Sequence, residues 1–190
     1  MRKIVAGLHT TFDGIMSGPE GDEDNMVSWG MPGIIDSTPD FQSSFQEFDT
    51  ILSGRITYEG LSQFWPTQSG EFADLMNNTP KIVFSTTLSD VQWCAFKNIS
   101  LIGKYVVEQV KKLKERQGND MVLFASAKLI QSLTNDGLID EYRIVVHPVL
   151  LGSGKRLFDN IKARHDLKLE SAKPYPSGAI LLRYVVSDQQ

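Results

Sequence analysis

Cysteine is almost missing from this sequence: Cys94 is the only one in 190 residues. A single thiol can form neither an internal disulfide nor a cysteine metal cluster. A reducing, cytoplasmic compartment is the economical expectation. Histidine is scarce as well, and His9, His147 and His165 lack metal-ligand spacing, so no metal site is expected. Long hydrophobic runs are missing too. Residues 3–8 are apolar apart from Lys3, but no signal-peptide core or membrane span follows. Positive charge is not in excess: the formal net charge is −4 and the basic residues are dispersed, which argues against a nucleic-acid partner. No repeat, low-complexity tract or linker interrupts the chain. Residues 1–190 are therefore expected to form one domain, long enough for one full core and short for two.

The chain is organised around Phe48-Asp-Thr-Ile-Leu-Ser-Gly-Arg-Ile-Thr-Tyr-Glu-Gly-Leu61. Thr50, Ile51 and Leu52 carry the signal of a buried strand. Ser53 and Gly54 interrupt it, and Tyr58, Leu61 and Phe64 then recur at helical spacing. A helix starting at the carboxyl end of a buried strand points unpaired N–H groups and a positive dipole outward. That geometry suits phosphate, and Arg55 adds a charge able to grip it bidentately. An ordinary strand-to-helix turn with a solvated arginine is the plainer alternative.

Two further stretches have the same design. Lys81-Ile-Val-Phe-Ser-Thr-Thr87 reads as a buried strand ending in hydroxyls, and Met121 to Ile130 as strand, turn and helix, with Ser126 as N-cap. Lys3 to Leu8 is a first strand, closed by the turn dipeptide Asp13-Gly14. Residues 15–32 read as a long loop whose Ile15, Met16, Met26, Trp29 and Met31 would suit a flap over a flat ligand or an anchor to the core. A helix is expected over Ile34–Phe48 with Pro39 near its start, a short strand over Ile99–Ile102 and a helix over Tyr105–Arg116. A long strand is expected over Glu141–Leu151 with Pro148 at a bulge or edge. A closing hairpin is expected from Leu167–Ala172 and Ala179–Ser187. This order predicts an α/β domain with a mixed sheet, parallel in the middle and antiparallel at its C-terminal end. Right-handed crossovers bring Gly54-Arg55, Ser85-Thr86 and Ala125-Ser126 to one rim, where open α/β sheets bind ligands. Three such sites together point to an extended, phosphate-bearing ligand such as a dinucleotide.

Leu52-Ser-Gly-Arg-Ile-Thr-Tyr-Glu59, Trp65-Pro66, Lys81-Ile-Val-Phe-Ser85 and the stretch Leu138 to Phe158, with its Gly152-Ser-Gly-Lys-Arg156 turn, occur in that order. This ordered set, spanning Lys3 to about Tyr184, resembles the dihydrofolate reductase superfamily. The nearest branch is that of the C-terminal reductase domain of bifunctional riboflavin-biosynthesis deaminase–reductases. The resemblance implies a three-layer fold with helices on both faces of the sheet. It also implies NADPH as cofactor and hydride transfer to a small heterocyclic or ribosyl-pyrimidine- or pteridine-like substrate, as in 5-amino-6-(5-phosphoribosylamino)uracil reductase. By the same resemblance Gly54, Arg55 and Thr57 fall at the cofactor phosphates, and Ser85 and Thr86 at the adenosine ribose and 2′-phosphate. Gly7, Ile15 and Met16 fall beside the nicotinamide, and Ala125, Ser126 and Ala127 at the pyrophosphate. A homodimer paired through C-terminal strands is implied as well.

Two departures stand out. The turn that is commonly Gly-Gly or Gly-Ser in the superfamily reads Ala125-Ser126 here, and an added Cβ bears on how closely a pyrophosphate can approach. The acid that binds the pterin in dihydrofolate reductases has no residue-by-residue match. Asp36 and Asp40 lie near its place, and Asp36 is the candidate catalytic acid. No deaminase half is expected within these residues, since one cysteine cannot supply its zinc site. The Gly152–Arg156 turn is no phosphate loop: Val149 stands where that motif needs glycine, and Arg156 where it needs Ser or Thr. A solvated turn is expected there, with substrate phosphate contact by Lys155 or Arg156 as the alternative. The expectation is thus an NADPH-dependent reductase, with a non-catalytic dinucleotide- or ligand-binding relative as the alternative.

Overall fold

The parallel strands are short runs of apolar and β-branched residues, and being buried on both faces they show little polar alternation. The computed structural model describes residues 1–18 and 25–187. In chain order the elements are β1 (Ile4–Thr11), β2 (Ile15–Ser17), α1 (Asn25–Ser44), β3 (Phe48–Gly54), α2 (Arg55–Phe64), α3 (Glu71–Asn78), β4 (Lys81–Phe84) and β5 (Ile99–Ile102). There follow α4 (Val106–Glu115), β6 (Asp120–Phe124), α5 (Ala127–Asn135), β7 (Glu141–His147), β8 (Lys155–Arg156), β9 (Leu167–Pro174) and β10 (Ile180–Val186). Eight strands make the main sheet in the order β5-β4-β3-β6-β1-β7-β10-β9, and β2 pairs with β8 apart from it. The pairs from β5 to β7 are parallel. β10 is antiparallel to both its neighbours. The mixed sheet expected from the sequence is the one observed.

Period-two alternation divides the core. Ile4, Ala6 and Leu8 of β1, Leu52 of β3, and Met121 and Leu123 of β6 pack against Val110 and Leu113 of α4 and Ile130 and Leu133 of α5. The opposite face carries Val5, Ile51 and Val122, which pack with Phe45, Met76, Leu61 and Phe72. Phe41 of α1 joins a third cluster with Val145, Tyr175 and Ala179. Helices therefore cover both faces, as a parallel sheet requires.

Three local expectations are corrected. Ile15–Ser17 forms a strand and a helix already runs at Asn25, so most of the described part of residues 15–32 is regular; residues 19–24 of that loop lie outside the described residues. α1 passes through Pro32 and Pro39 rather than starting near Pro39. A helix-interior proline forfeits the bond to the carbonyl four residues back. For Pro39 that residue is Ile35, which is 65 % exposed, so water can take the carbonyl. β7 ends at His147 rather than Leu151. It lies between β1 and β10, and a strand paired on both sides cannot hold the donorless Pro148.

Candidate active site

Parallel strands place their carboxyl ends on one rim. There β3 runs straight into α2 at Gly54–Arg55, and β6 into α5 across Ala125–Ser126. Neither helix carries a side-chain cap, so the outward N–H groups of both first turns present positive ends. Ser126 holds the N-cap position of α5, as expected, but does not cap it. Capping needs an extended backbone, whereas Ala125 (φ 41°) and Ser126 (φ 63°) are both left-handed. Each such residue costs roughly 1–2 kcal/mol. The Ser126 hydroxyl instead reaches α2: it accepts the Gly54 N–H at 2.7 Å and shares a 2.7 Å hydrogen bond with the Thr57 hydroxyl. A Cβ on Gly54 would stand 3.1 Å from Ser126 Oγ, so the hydroxyl would have to give by a few tenths of an ångström.

Arg55, in the first turn of α2, donates to Glu59 at 3.0 Å and remains half exposed. At the end of β4 the Ser85 hydroxyl accepts the N–H groups of Thr87 (3.2 Å) and Leu88 (3.1 Å); it shapes its own turn, and Thr86 is exposed. The end of β5 adds residues that the sequence reading passed over. Ser85 N–H donates to Ile102 O at 3.1 Å, which sets Gly103, exposed Lys104 and left-handed Tyr105 (φ 55°) beside it, ahead of α4. The short apolar run followed by Gly103 was the available signal, the same one that marks Gly54.

Further along the rim the Gly7 carbonyl accepts the Ala125 N–H at 3.2 Å, which joins β1 to the Ala125–Ser126 turn. A Cβ on Gly7 would lie 3.1 Å from the Phe41 ring. Phe41 stacks on His9, with centroids 5.9 Å apart, and His9 Nδ1 meets His147 Nε2 at 3.0 Å. Burial, with His147 alongside, lowers His9 from 6.5 to about 3; burial also lowers His147. Trp29 meets His147 edge-on at 5.2 Å, and its buried indole Nε1 has no hydrogen-bond partner among the described residues. His147 had only a structural role in the sequence reading, and its contact with His9 spans 138 residues. No local pattern announces such a contact.

The candidates therefore divide. Gly7, Gly54, Thr57, Ala125 and Ser126 are joined by direct hydrogen bonds, Arg55 follows Gly54, and the Ala127 side chain is buried beneath. Ile15 is fully buried and Met16 half-buried, at the end of β1. Asp36 stands on α1 between Gly33, which packs on His147, and Phe41, which stacks on His9, and its carboxylate accepts the Ser177 N–H at 2.9 Å. Asp40 is held below the usual carboxylate range by hydrogen bonds from Lys173 and Tyr175. The Gly152–Arg156 segment is exposed, as expected of a solvated turn, but it is also anchored. Its β8 residues pair with β2, Arg156 donates to Asp13 O at 2.9 Å, and the Asp13 carboxylate accepts Gly152 N–H at 2.7 Å.

A groove of about 290 Å³ beside α1 is lined by Asp40, Glu47, Arg143, Lys173 and Arg183. Its cations are already paired: Arg143 with Glu47 and Glu141, Arg183 with Glu141, and Lys173 with Asp40. It offers no spare charge. Among the described residues no group of three or more His, Cys, Asp or Glu could hold a metal ion. No helix there is long and apolar enough to cross a membrane.

Comparison with known proteins adds to this geometry. The model of the RibD C-terminal domain matches residues 2–181. An uncharacterized protein of Bacillus subtilis (strain 168), YyaP, is 34% identical over 188 residues, covering 96% of this chain and 94% of YyaP. The crystal structure of a putative riboflavin biosynthesis protein from Shewanella sp. PV-4 aligns with TM-score 0.78 at 20% identity, over 97% of this chain and 99% of that one. Dihydrofolate reductase from Enterococcus faecalis, complexed with NADP(H), aligns with TM-score 0.64 at 15% identity, over 98% and 97%.

Proposed function

The chain belongs to the RibD C-terminal domain family and has the dihydrofolate reductase fold, and from that membership we propose that it is an NADPH-dependent reductase of a small heterocyclic or ribosyl-pyrimidine- or pteridine-like substrate. The observation that carries the reading is the meeting of two uncapped helix N-termini, α2 and α5, at one rim of the sheet. A diphosphate fits that arrangement of outward N–H groups and dipoles. Arg55 and Thr57 would hold it from α2, and the Ala125–Ala127 turn from α5. Ser85, Thr86 and Lys104 stand at the two neighbouring strand ends, where a 2′-phosphate would be read.

When bound, the nicotinamide supplies the hydride. The chain's own work is to orient and to exclude water. Gly7 lets the ligand approach the β1 backbone, Phe41 and Phe124 wall that side, and Ile15 and Met16 would border the nicotinamide. His9 and His147 are neutral near pH 7 and offer ring nitrogens without charge. Asp36 holds the Ser177 turn, and water delivers the proton to the acceptor. Work in the cytoplasm fits the lone thiol. A homodimer through the C-terminal strands fits β9, the sheet edge, which is exposed along its whole length.

Thermal stability with NADPH, and with NADH as control, tests the reading. A ligand at about 100 times its dissociation constant adds roughly 2.7 kcal/mol, so a rise of several degrees is expected with NADPH. A panel of reducible pyrimidines and pteridines, followed by loss of reduced-nicotinamide absorbance, then finds the substrate. No thermal shift with either nucleotide at millimolar concentration overturns the reading in favour of a non-catalytic relative.

A further inference from the structure

Ser126 is unusual in three respects on one residue. It stands at the start of a helix that it does not cap, in a left-handed conformation that disfavours any side chain, with its hydroxyl engaged by the neighbouring helix. That hydroxyl oxygen takes the Gly54 N–H, the donor at the N-cap of α2, and engages the Thr57 hydroxyl three residues further on. These are donors that the reading above assigns to a diphosphate. We propose that the Ser126 hydroxyl is a built-in stopper of the diphosphate cradle: it fills the junction of α2 and α5 in the ligand-free protein and is displaced when the dinucleotide binds. The inference rests on the proposed function and adds a chain-specific control of its affinity.

The physical argument is one of exchange. A neutral hydroxyl satisfies an orphan helix N–H, so the empty cradle carries no unpaired Gly54 donor. A phosphate oxygen makes a charge-assisted bond roughly twice as strong as a neutral one, and helix dipoles add to it. A diphosphate can therefore win the exchange, but it gains less than it would from a cradle with free donors. The left-handed backbone at Ala125–Ser126 is common to both states and cancels from the difference.

The experiment is a titration of NADPH into the wild-type chain and the Ser126→Ala and Ser126→Gly variants, with the melting temperature of each ligand-free protein as a fold check. Ser126→Gly also removes the left-handed strain, so at least one variant stays folded. Both variants are expected to bind NADPH about two- to tenfold more tightly than wild type, the worth of one net hydrogen bond. The Gly54 amide resonance of the ligand-free protein is expected to move in both. Equal or weaker binding by both variants, with wild type binding, overturns the stopper and leaves the reductase reading standing. Binding by the variants where wild type shows none supports the stopper and leaves the wild-type chain as the non-catalytic relative. Absence of binding in all three proteins overturns both.

Discussion

The histidine pair shows how much one side-chain contact can decide. Half-buried His9 packs against buried His147, so protons bind them less tightly in the folded chain than in the unfolded one. The contribution of His9 to stability is complete above about pH 6.5 and is lost as pH falls toward 3, at up to about 1.4 kcal/mol per pH unit, and His147 adds a loss of the same sign below pH 6.5. Urea unfolding at pH 7, 6 and 5 is expected to show this decline, and His9→Asn to flatten it. An unchanged slope in that variant would mean other groups carry the acid limb. Asp36 makes a different point. Its type and position suggested a catalytic acid, yet its carboxylate accepts a turn N–H. Asp36→Ala is expected to cost about 1 kcal/mol of stability, the worth of that bond, while the thermal shift caused by NADPH stays the same. Loss of the shift at unchanged stability would return Asp36 to the site.

At the scale of elements, α2 was legible because strand, glycine and helix spacing follow one another without a break. The pattern also identified Arg55, whose exposed pair with Glu59 contributes about 0–1 kcal/mol. Arg55→Ala is therefore expected to leave the melting temperature nearly unchanged. By losing a charged bond worth about 1.5–3 kcal/mol, it should weaken NADPH binding roughly ten- to a hundredfold. Intact affinity in this variant would place the phosphate elsewhere. β8 was not legible, since Lys155-Arg156 is two residues long and its partner lies far back in the chain. Gly154 makes that pairing possible: its φ is 135°, and a Cβ would stand 2.4 Å from Ser17 O. Gly154→Ala is expected to cost about 1–3 kcal/mol and to speed amide exchange at residues 15–17. Exchange rates that match wild type would show that β2 is held without β8.

For the whole molecule, the open question is the bare edge of the sheet. β9 leaves one side of its backbone unpaired, with Leu167 and Leu169 39 % and 49 % exposed, and unprotected edges invite strand pairing. Sedimentation at micromolar concentration is expected to give a dimer, and Leu169→Lys a monomer; a monomeric wild type would sink the dimer. The parallel sheet itself was readable in the chain, because doubly buried strands are written as continuous apolar runs and their order constrains the crossovers. Sequence by itself determined that architecture and the rim of Gly54-Arg55, Ser85-Thr86 and Ala125-Ser126, since strand, turn and helix signals are local. Only the tertiary structure decided what those residues touch. Ser126 was expected to cap its own helix and instead reaches α2; His147 finds His9; Lys104 joins the end of β4 through the pairing of β4 with β5. Such contacts depend on how distant segments meet, and a backbone turned left-handed at two residues redirects a hydroxyl in a way that residue type does not reveal.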